Sequence, residues 1–468
     1  MEWLTVLPPA AAIGVALLSR NVYLALGLAI LISESLIAQF NVGLGLLGGI
    51  DRTVGVFSSA GNTRIILFCL IIGALIAYMQ KSGGIAATVE RLHRSGYAAT
   101  PRRAGLISAL SGVIIFVETN VSLLASGVLG RPLFDHLRLS RERLAYIIDS
   151  TCAPVSVLIL FNGWGAYVAG LLAGNGVSDE FGVLFNTIAL NFYAWFALLA
   201  VFATVVAGRT FGPLAQVERE LLASYSEQGV GQGAEADAHR QERPELEDAP
   251  GRSIYMVAPM LLLIGGALGF MVWTGGGDIT KGSGSQAILW AVTLATLAAA
   301  ICFRYSGRGR GRIVDVGMQG MGELLPAVTV ILLALVLGAS LQALGTGAFI
   351  TTAAASISVP FVIPALLFVV AGVTSFTTGT SWGTYGILIP VAIPMALGAE
   401  LPLALVVAAV MGGGVFGDHC SPISDTTIIA SLAAGCDHVD HVRTQLPYAL
   451  LLGAISVAAY LLAGLIAV

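Results

Sequence analysis

The chain has 468 residues, 56% hydrophobic and only 11% charged, with a formal net charge of −4 and a mean hydropathy of +0.87. Soluble domains carry about 25% charged residues, so this composition excludes a soluble globular or nucleic-acid-binding protein and defines a polytopic membrane protein. Five scattered cysteines (Cys69, Cys152, Cys302, Cys420, Cys436) show no disulfide or zinc spacing.

Apolar runs near the ~20 residues that cross a bilayer recur along the chain. Those at 4–18, 22–40 and 63–79 make a set of N-terminal scaffold helices over residues 1–80. The first follows Glu2 rather than a basic segment and reads as a span, not as a cleaved signal peptide. Glu34, in LISESLIAQF, reads as a helix-end or packing acid. Gly43, Gly45 and Gly48 satisfy GxGxxG, but no βαβ unit surrounds them, so they read as a glycine-rich membrane loop.

Residues 81–208 hold a first structural repeat. Lys81, Arg91, Arg94, Arg102 and Arg103 precede the apolar segment 104–129, and Arg131, Arg138, Arg141 and Arg143 follow it. Cytoplasmic loops collect basic residues, so both ends face the cytoplasm and the segment is a re-entrant hairpin with Glu118, Thr119 and Asn120 at its tip. A single crossing, which would put Arg131 to Arg143 outside, is the alternative. A broken helix at 144–173 follows, interrupted at Pro154 in Cys152-Ala-Pro154-Val-Ser156 and preceded by Asp149 and Ser150, then a span at 181–208. Asp149 reads either as a site residue or as an interfacial acid close to Arg143.

Nine acids stand against three arginines in residues 216–250, which predicts an acidic flexible cytoplasmic loop over 209–252. Scaffold helices at 253–273 and 286–303 occupy 253–317, and GRGRGR at 307–312 reads as a cytoplasmic anchor rather than a nucleic-acid patch. A second repeat fills 318–445. It opens with a span at 318–340, where Glu323 is an isolated helix-end acid, and continues with a hairpin at 360–398 and a broken helix at 401–436. CDHVDH at 436–441 reads as an interfacial loop that titrates near neutral pH, or as a transition-metal site at His438 and His441. A C-terminal helix at 446–468 closes the chain.

The repeats rest on two matches in the same order. GVIIF at 112–116 corresponds to GVTSF at 372–376, and STCAPVS at 150–156 to DHCSPIS at 418–424. No Lys or Arg occurs between Ile313 and Val442, so the second copy's loops face outside and the copies are inverted. The fold class is an all-α polytopic membrane protein, an inverted repeat with two re-entrant hairpins and two broken helices.

Proline removes a backbone donor, and such breaks survive in lipid only where protein or a wet cavity covers them. Pro154, Pro422 and the two hairpin tips therefore mark one binding site near mid-membrane. Asp418, Asp425, Ser424, Thr380, Ser381 and Thr384 from one copy, with Glu118, Thr119, Asn120, Asp149 and Ser150 from the other, offer oxygen donors. Oxygen suits alkali and alkaline-earth cations. A carboxylate there binds a cation or a proton, which gives exchange, with Asp418 or Asp425 as carrier. Any of these hydroxyls could instead bond back to its own helix. An intramembrane enzyme using Cys420 and His419 fits poorly, because adjacent helical residues point about 100° apart. A channel would share the site but not counter-transport.

GDHCSPISDTT at 417–427 resembles the signature of the NhaC-type sodium/proton antiporters, as do TGTSWGTYGILIP at 378–390 and SRERLAYIIDSTCAPVS at 140–156. The resemblance spans the chain from about residue 60 to its end and implies membership of the ion transporter superfamily. It further implies a prokaryotic plasma-membrane protein, a homodimer with scaffold and moving domains, and exchange of Na⁺ or Li⁺ for H⁺ in pH homeostasis. Asp418, Ser424 and Asp425 would lie at the ion site, with no cofactor. Relatives commonly carry two aspartates where this chain has Glu118-Thr119, which leaves ion choice and substrate class open. Relatives that carry malate, lactate or amino acids keep an organic substrate as the alternative, and the lack of Arg and Lys around the second hairpin disfavours a dicarboxylate.

Overall fold

The computed structural model describes residues 2–19, 21–94, 100–116, 119–227, 251–278, 282–308 and 311–468, and within them the ordered structure is helical, with no strands. Nine of these helices are long and apolar enough to cross a bilayer, or eleven spans when each of two sharply bent pairs counts as one. Helices satisfy their backbone polar groups internally, which lipid requires. The protein is an all-α polytopic membrane protein.

Several expected elements are corrected. Val22–Ile37 and Val42–Val56 meet at 114°, so the expected loop at 43–48 is a helix. Its glycines serve close packing: a Cβ on Gly45 would lie 2.7 Å from the Ser35 backbone. The turn falls earlier, at Gln39 and Phe40, whose φ values are 53° and 66°. Glu34 is more than a packing acid, because it is buried and accepts from Arg52 Nε at 2.8 Å across the bend. The span expected at 181–208 divides at Asn191 into Glu180–Leu190 and Phe192–Ala207, and that at 318–340 divides at Leu324 into Ile313–Glu323 and Leu325–Leu344. The second division places Pro326 in a first helical turn, where its missing N–H costs nothing.

The expected acidic loop begins as a helix, Gly212–Glu227, held down by an ion pair of 3.0 Å between Arg143 and Glu218; residues 228–250 lie outside the described residues. The C-terminal helix, His438–Ala467, starts eight residues earlier than expected and absorbs most of CDHVDH. Asp437 caps it, accepting from Val439 N and Asp440 N at 2.8 and 3.1 Å.

Both hairpins are present as paired arms. In the first, Pro101–Ile114 and Thr119–His136 lie along Arg141–Leu158. Near the tip, Thr119 Oγ1 donates to Ser156 Oγ at 2.9 Å; farther back, Ser122 Oγ donates to Cys152 Sγ at 3.1 Å, and Gly130 packs on both Leu144 and Ser108. In the second, Ile363–Thr378 and Ser381–Gly398 lie along Leu403–Cys420. Ser375 and Ser381 reach Asp418 at the tip, while Phe368 packs on Gly413 and Tyr385 OH donates to Met411 O at 2.7 Å farther back. In each hairpin, then, both arms recede from the tip along one helix, as a hairpin must.

The two breaks differ. Pro422 lies in the interruption between Leu403–Cys420 and Asp425–Ala434, as expected. Pro154 does not break its helix: Arg141–Leu158 runs through it, and the 42° bend to Gly163–Gly174 comes at residues 159–162. Every residue from Arg143 to Leu158 is buried, so surrounding protein holds the helix together past the lost donor. The break belongs to Asn162, whose amide donates to Ser156 O at 2.7 Å and Phe116 O at 3.1 Å while its oxygen caps Gly165 N. In the other copy Ser421 Oγ donates to Phe376 O at 2.7 Å. Phe116 and Phe376 are matched positions in the two copies, so each break ties down the equivalent tip carbonyl.

Contacts between the copies are reciprocal. Thr119–His136 packs on Asp425–Ala434, where Arg131 donates to Ala433 O at 2.6 Å and to Leu432 O. Conversely Ser381–Gly398 packs on Gly163–Gly174, with Tyr167 OH donating to Trp382 O at 2.9 Å. Inversion predicts that cysteines placed at the exposed His136 and Ser358 label from opposite sides of the membrane. Labelling of both from one side would exclude it.

Candidate ion and proton site

The candidate side chains sit where helices end. A cavity of about 410 Å³ lies where the two hairpin tips meet Ala60–Lys81 and Leu325–Leu344. Asp425, in the first turn of Asp425–Ala434, is exposed to it, and its Oδ1 accepts from Thr426 N at 3.0 Å. Asn120, from the first hairpin tip, lines the same cavity, and its buried Oδ1 has no hydrogen-bond partner in the protein. Thr380 and Gly379 from the second tip also line the cavity. Gly379 has φ 68°, which favours glycine, and lies so close to Ile423 O that an added Cβ would collide with it. Buried polar atoms are normally paired, so an unpartnered amide oxygen on a residue that shares the cavity wall with a carboxylate is a candidate oxygen donor.

Asp418 is differently placed. Its Oδ1 accepts from Ser375 Oγ at 2.8 Å, and its Oδ2 accepts from Ser381 N at 3.2 Å and from Ser381 Oγ. Both oxygens are therefore committed to the two arms of the second hairpin, and Asp418 is not among the residues that line the cavity. Ser381 is taken up by the same clamp.

The remaining predicted residues divide. Thr384 Oγ1 bonds back to Thr380 O at 3.0 Å, and Ser424 Oγ pairs with Thr426 Oγ1 at 3.1 Å. Thr119 stands behind the tip between Ser156 Oγ and Trp164 Nε1, the latter at 3.2 Å. Asp149 is fully buried with Gln445 and His441, while Arg143 pairs instead with Glu218. Ser150 is buried beside it in the same helix. Glu118 lies outside the described residues.

Several lining residues escaped the sequence reading. Glu323, expected as a helix-end acid, lines the cavity as a second carboxylate. Trp164 and Trp382 face each other at 4.3 Å between ring centroids, and Tyr167 stacks on Trp382 at 5.0 Å. The signal was present: Trp164-Gly-Ala-Tyr167 and Trp382-Gly-Thr-Tyr385 share the pattern WGxY. Their spacing of 218 differs from the spacing between the repeats, because one copy lies on a broken helix and the other on a hairpin arm.

Two hairpin tips and two interrupted helices enclosing a carboxylate-bearing cavity inside a helical bundle define a secondary transporter, and the comparisons agree. Residues 155–465 match the Na+/H+ antiporter family. An uncharacterized protein of Haemophilus influenzae is 30% identical over 98% of this chain and 90% of its own length. A shorter match, 32% identical over 33% of each chain, is to an uncharacterized Na(+)/H(+) antiporter of the same organism, and another, 41% identical over 17% of each, is to the malate-2H(+)/Na(+)-lactate antiporter of Bacillus subtilis. The crystal structure of the Alcanivorax borkumensis YdaH transporter shares the fold at 15% identity, with a TM-score of 0.55 over 89% of this chain and 88% of that one. The chain belongs to the Na+/H+ antiporter family, as the sequence motifs indicated.

Proposed function

We propose that the protein exchanges Na⁺ or Li⁺ for H⁺ by alternating access, with Asp425 as the group that holds either ion. The observation that carries this reading is Asp425 facing a cavity whose wall also carries Asn120 with its unpartnered Oδ1. Asp425, Asn120 and Thr380 supply hard oxygen donors from both copies of the repeat, so a bound cation draws the two tips together. A proton on the carboxylate removes the charge that attracts the cation, and the two ions compete. Asp418 is a positioning residue that holds the second tip in place. Residues 1–80 and 253–317 act as the scaffold against which the hairpin-bearing segments move.

The cavity's volume favours a second reading, in which a small organic molecule shares the site. With Asp425 and Glu323 on the wall, two tryptophans nearby and no Lys or Arg among the described lining residues, such a molecule would be an amine rather than a malate- or lactate-like anion. Reconstituted vesicles loaded with a pH-sensitive dye separate the readings. Pulses of Na⁺ or Li⁺ are expected to drive proton movement opposite to the cation. Silence with both ions, together with a response to an organic amine, would sink the first reading in favour of the second.

A further inference from the structure

A second group of titratable side chains lies deeper in the protein, away from the cavity. Asp149 on Arg141–Leu158, His419 on Leu403–Cys420, and His441 and Gln445 on His438–Ala467 are each no more than 1% exposed. Gln445 Nε2 donates to Asp149 Oδ2 at 2.6 Å and to His419 O at 3.1 Å. His441 Nε2 stands 3.4 Å from Asp149 Oδ2, and Tyr193 OH and His419 Nδ1 hydrogen-bond at 3.0 Å. Five polar atoms of this cluster, Asp149 Oδ1, His419 Nε2, both ring nitrogens of His441 and Gln445 Oε1, have no hydrogen-bond partner in the protein, His441 Nε2 approaching Asp149 without bonding it.

With both imidazoles neutral, the cluster buries one carboxylate charge with no cation beside it, an arrangement that costs several kcal/mol per ion. One added proton changes this. It binds an imidazole nitrogen lone pair, turns an acceptor into a donor facing Asp149, and makes the pair neutral overall. We propose that Asp149, His441, His419 and Gln445 form a proton-binding site separate from the cation site, whose single proton is shared between carboxylate and imidazole and whose occupancy sets how firmly the two broken helices are joined. The proton comes from water admitted on one side of the membrane and returns to water on the other. Asp149 belongs to the first copy and His419 to the second, so protonation tightens the contact between copies and its loss loosens it.

The charged and titratable surroundings are few. Arg141–Leu158 also carries Arg141, Glu142 and Arg143, and Gly212–Glu227 brings Glu218, which Arg143 holds. Leu403–Cys420 adds Asp418, clamped by the serines, and Asp425–Ala434 adds Asp425. Tyr193 comes from Phe192–Ala207. On the C-terminal helix itself, Asp440 and Arg443 approach to 4.0 Å near its start, and Tyr448 follows one turn beyond Gln445. The helix Ile363–Thr378, packed on the same C-terminal helix, contributes no titratable group.

This inference rests on the transporter reading but not on the identity of the cargo. The test is the pH profile of exchange in reconstituted vesicles, driven by whichever cargo the wild type carries, for His441→Gln and for His419→Gln. Removing one imidazole is expected to move a limb of the profile by roughly one pH unit while leaving the cargo KM at the optimum within about two-fold. An unchanged profile in either variant that inserts would overturn the proposal. A raised KM with an unchanged profile would assign these residues to cargo binding instead. Loss of cargo response in the wild type strikes at the transport reading, a result distinguishable from both.

Discussion

Asp425→Asn is expected to abolish cation-driven proton movement while leaving the protein inserted and as thermally stable as the wild type. The amide keeps the shape and one acceptor but loses the charge and the titratable oxygen. Loss of a charge-assisted contact removes about 1.5–3 kcal/mol of cation binding, roughly ten- to hundred-fold in apparent affinity. Loss of the titratable group does more, because nothing at that position can then exchange a proton for the cation. The effect on exchange should therefore exceed the effect on affinity. Everted vesicles carrying Asp425→Asn, assayed for both, check this; wild-type exchange in that variant would remove Asp425 from the mechanism. Asn120→Ala is the graded companion, lowering cation affinity without removing proton binding.

The sequence was most informative where lipid punishes polarity. Charged and proline-bearing interruptions in apolar runs pointed to residues 417–427 because burying a charge in a membrane costs about 2.5–3.5 kcal/mol. The matched segments GVIIF and GVTSF led to tip carbonyls bonded equivalently by Asn162 and Ser421. What the sequence concealed was the partner of each polar group. Composition cannot tell a proline inside a fully packed helix from one at a break, so the break expected at Pro154 falls instead at residues 159–162. Nor can it tell a loop arginine from a capping one. Arg131 and Arg141 read as loop charges in the sequence, yet Arg131 is buried, and the two donate to the carbonyls that end Asp425–Ala434. CDHVDH marks His441 but not its partner, because facing Asp149 across some 290 residues of chain leaves no local pattern.

Asp418→Asn tests the proposed division of labour between the two acids of GDHCSPISD, in which Asp418 would shape the site and Asp425 would bind the ions. In the wild type both carboxylate oxygens accept, one from Ser375 on the entering arm and the other from Ser381 on the exit arm. An asparagine has one acceptor and must turn an NH₂ toward one of these donors. Buried, that mismatch costs about 1–3 kcal/mol, and it falls on the turn that sets the position of Thr380. Asp418→Asn should therefore lower the thermal stability of the purified protein as well as exchange, whereas Asp425→Asn should lower exchange alone. Ser381→Ala, which removes one donor and leaves the carboxylate, should cost less, and combining it with Asp418→Asn should cost less than the sum because both act on one contact. A fully stable Asp418→Asn protein that no longer binds cation would reverse the assignment, making Asp418 a ligand and the serine clamp incidental.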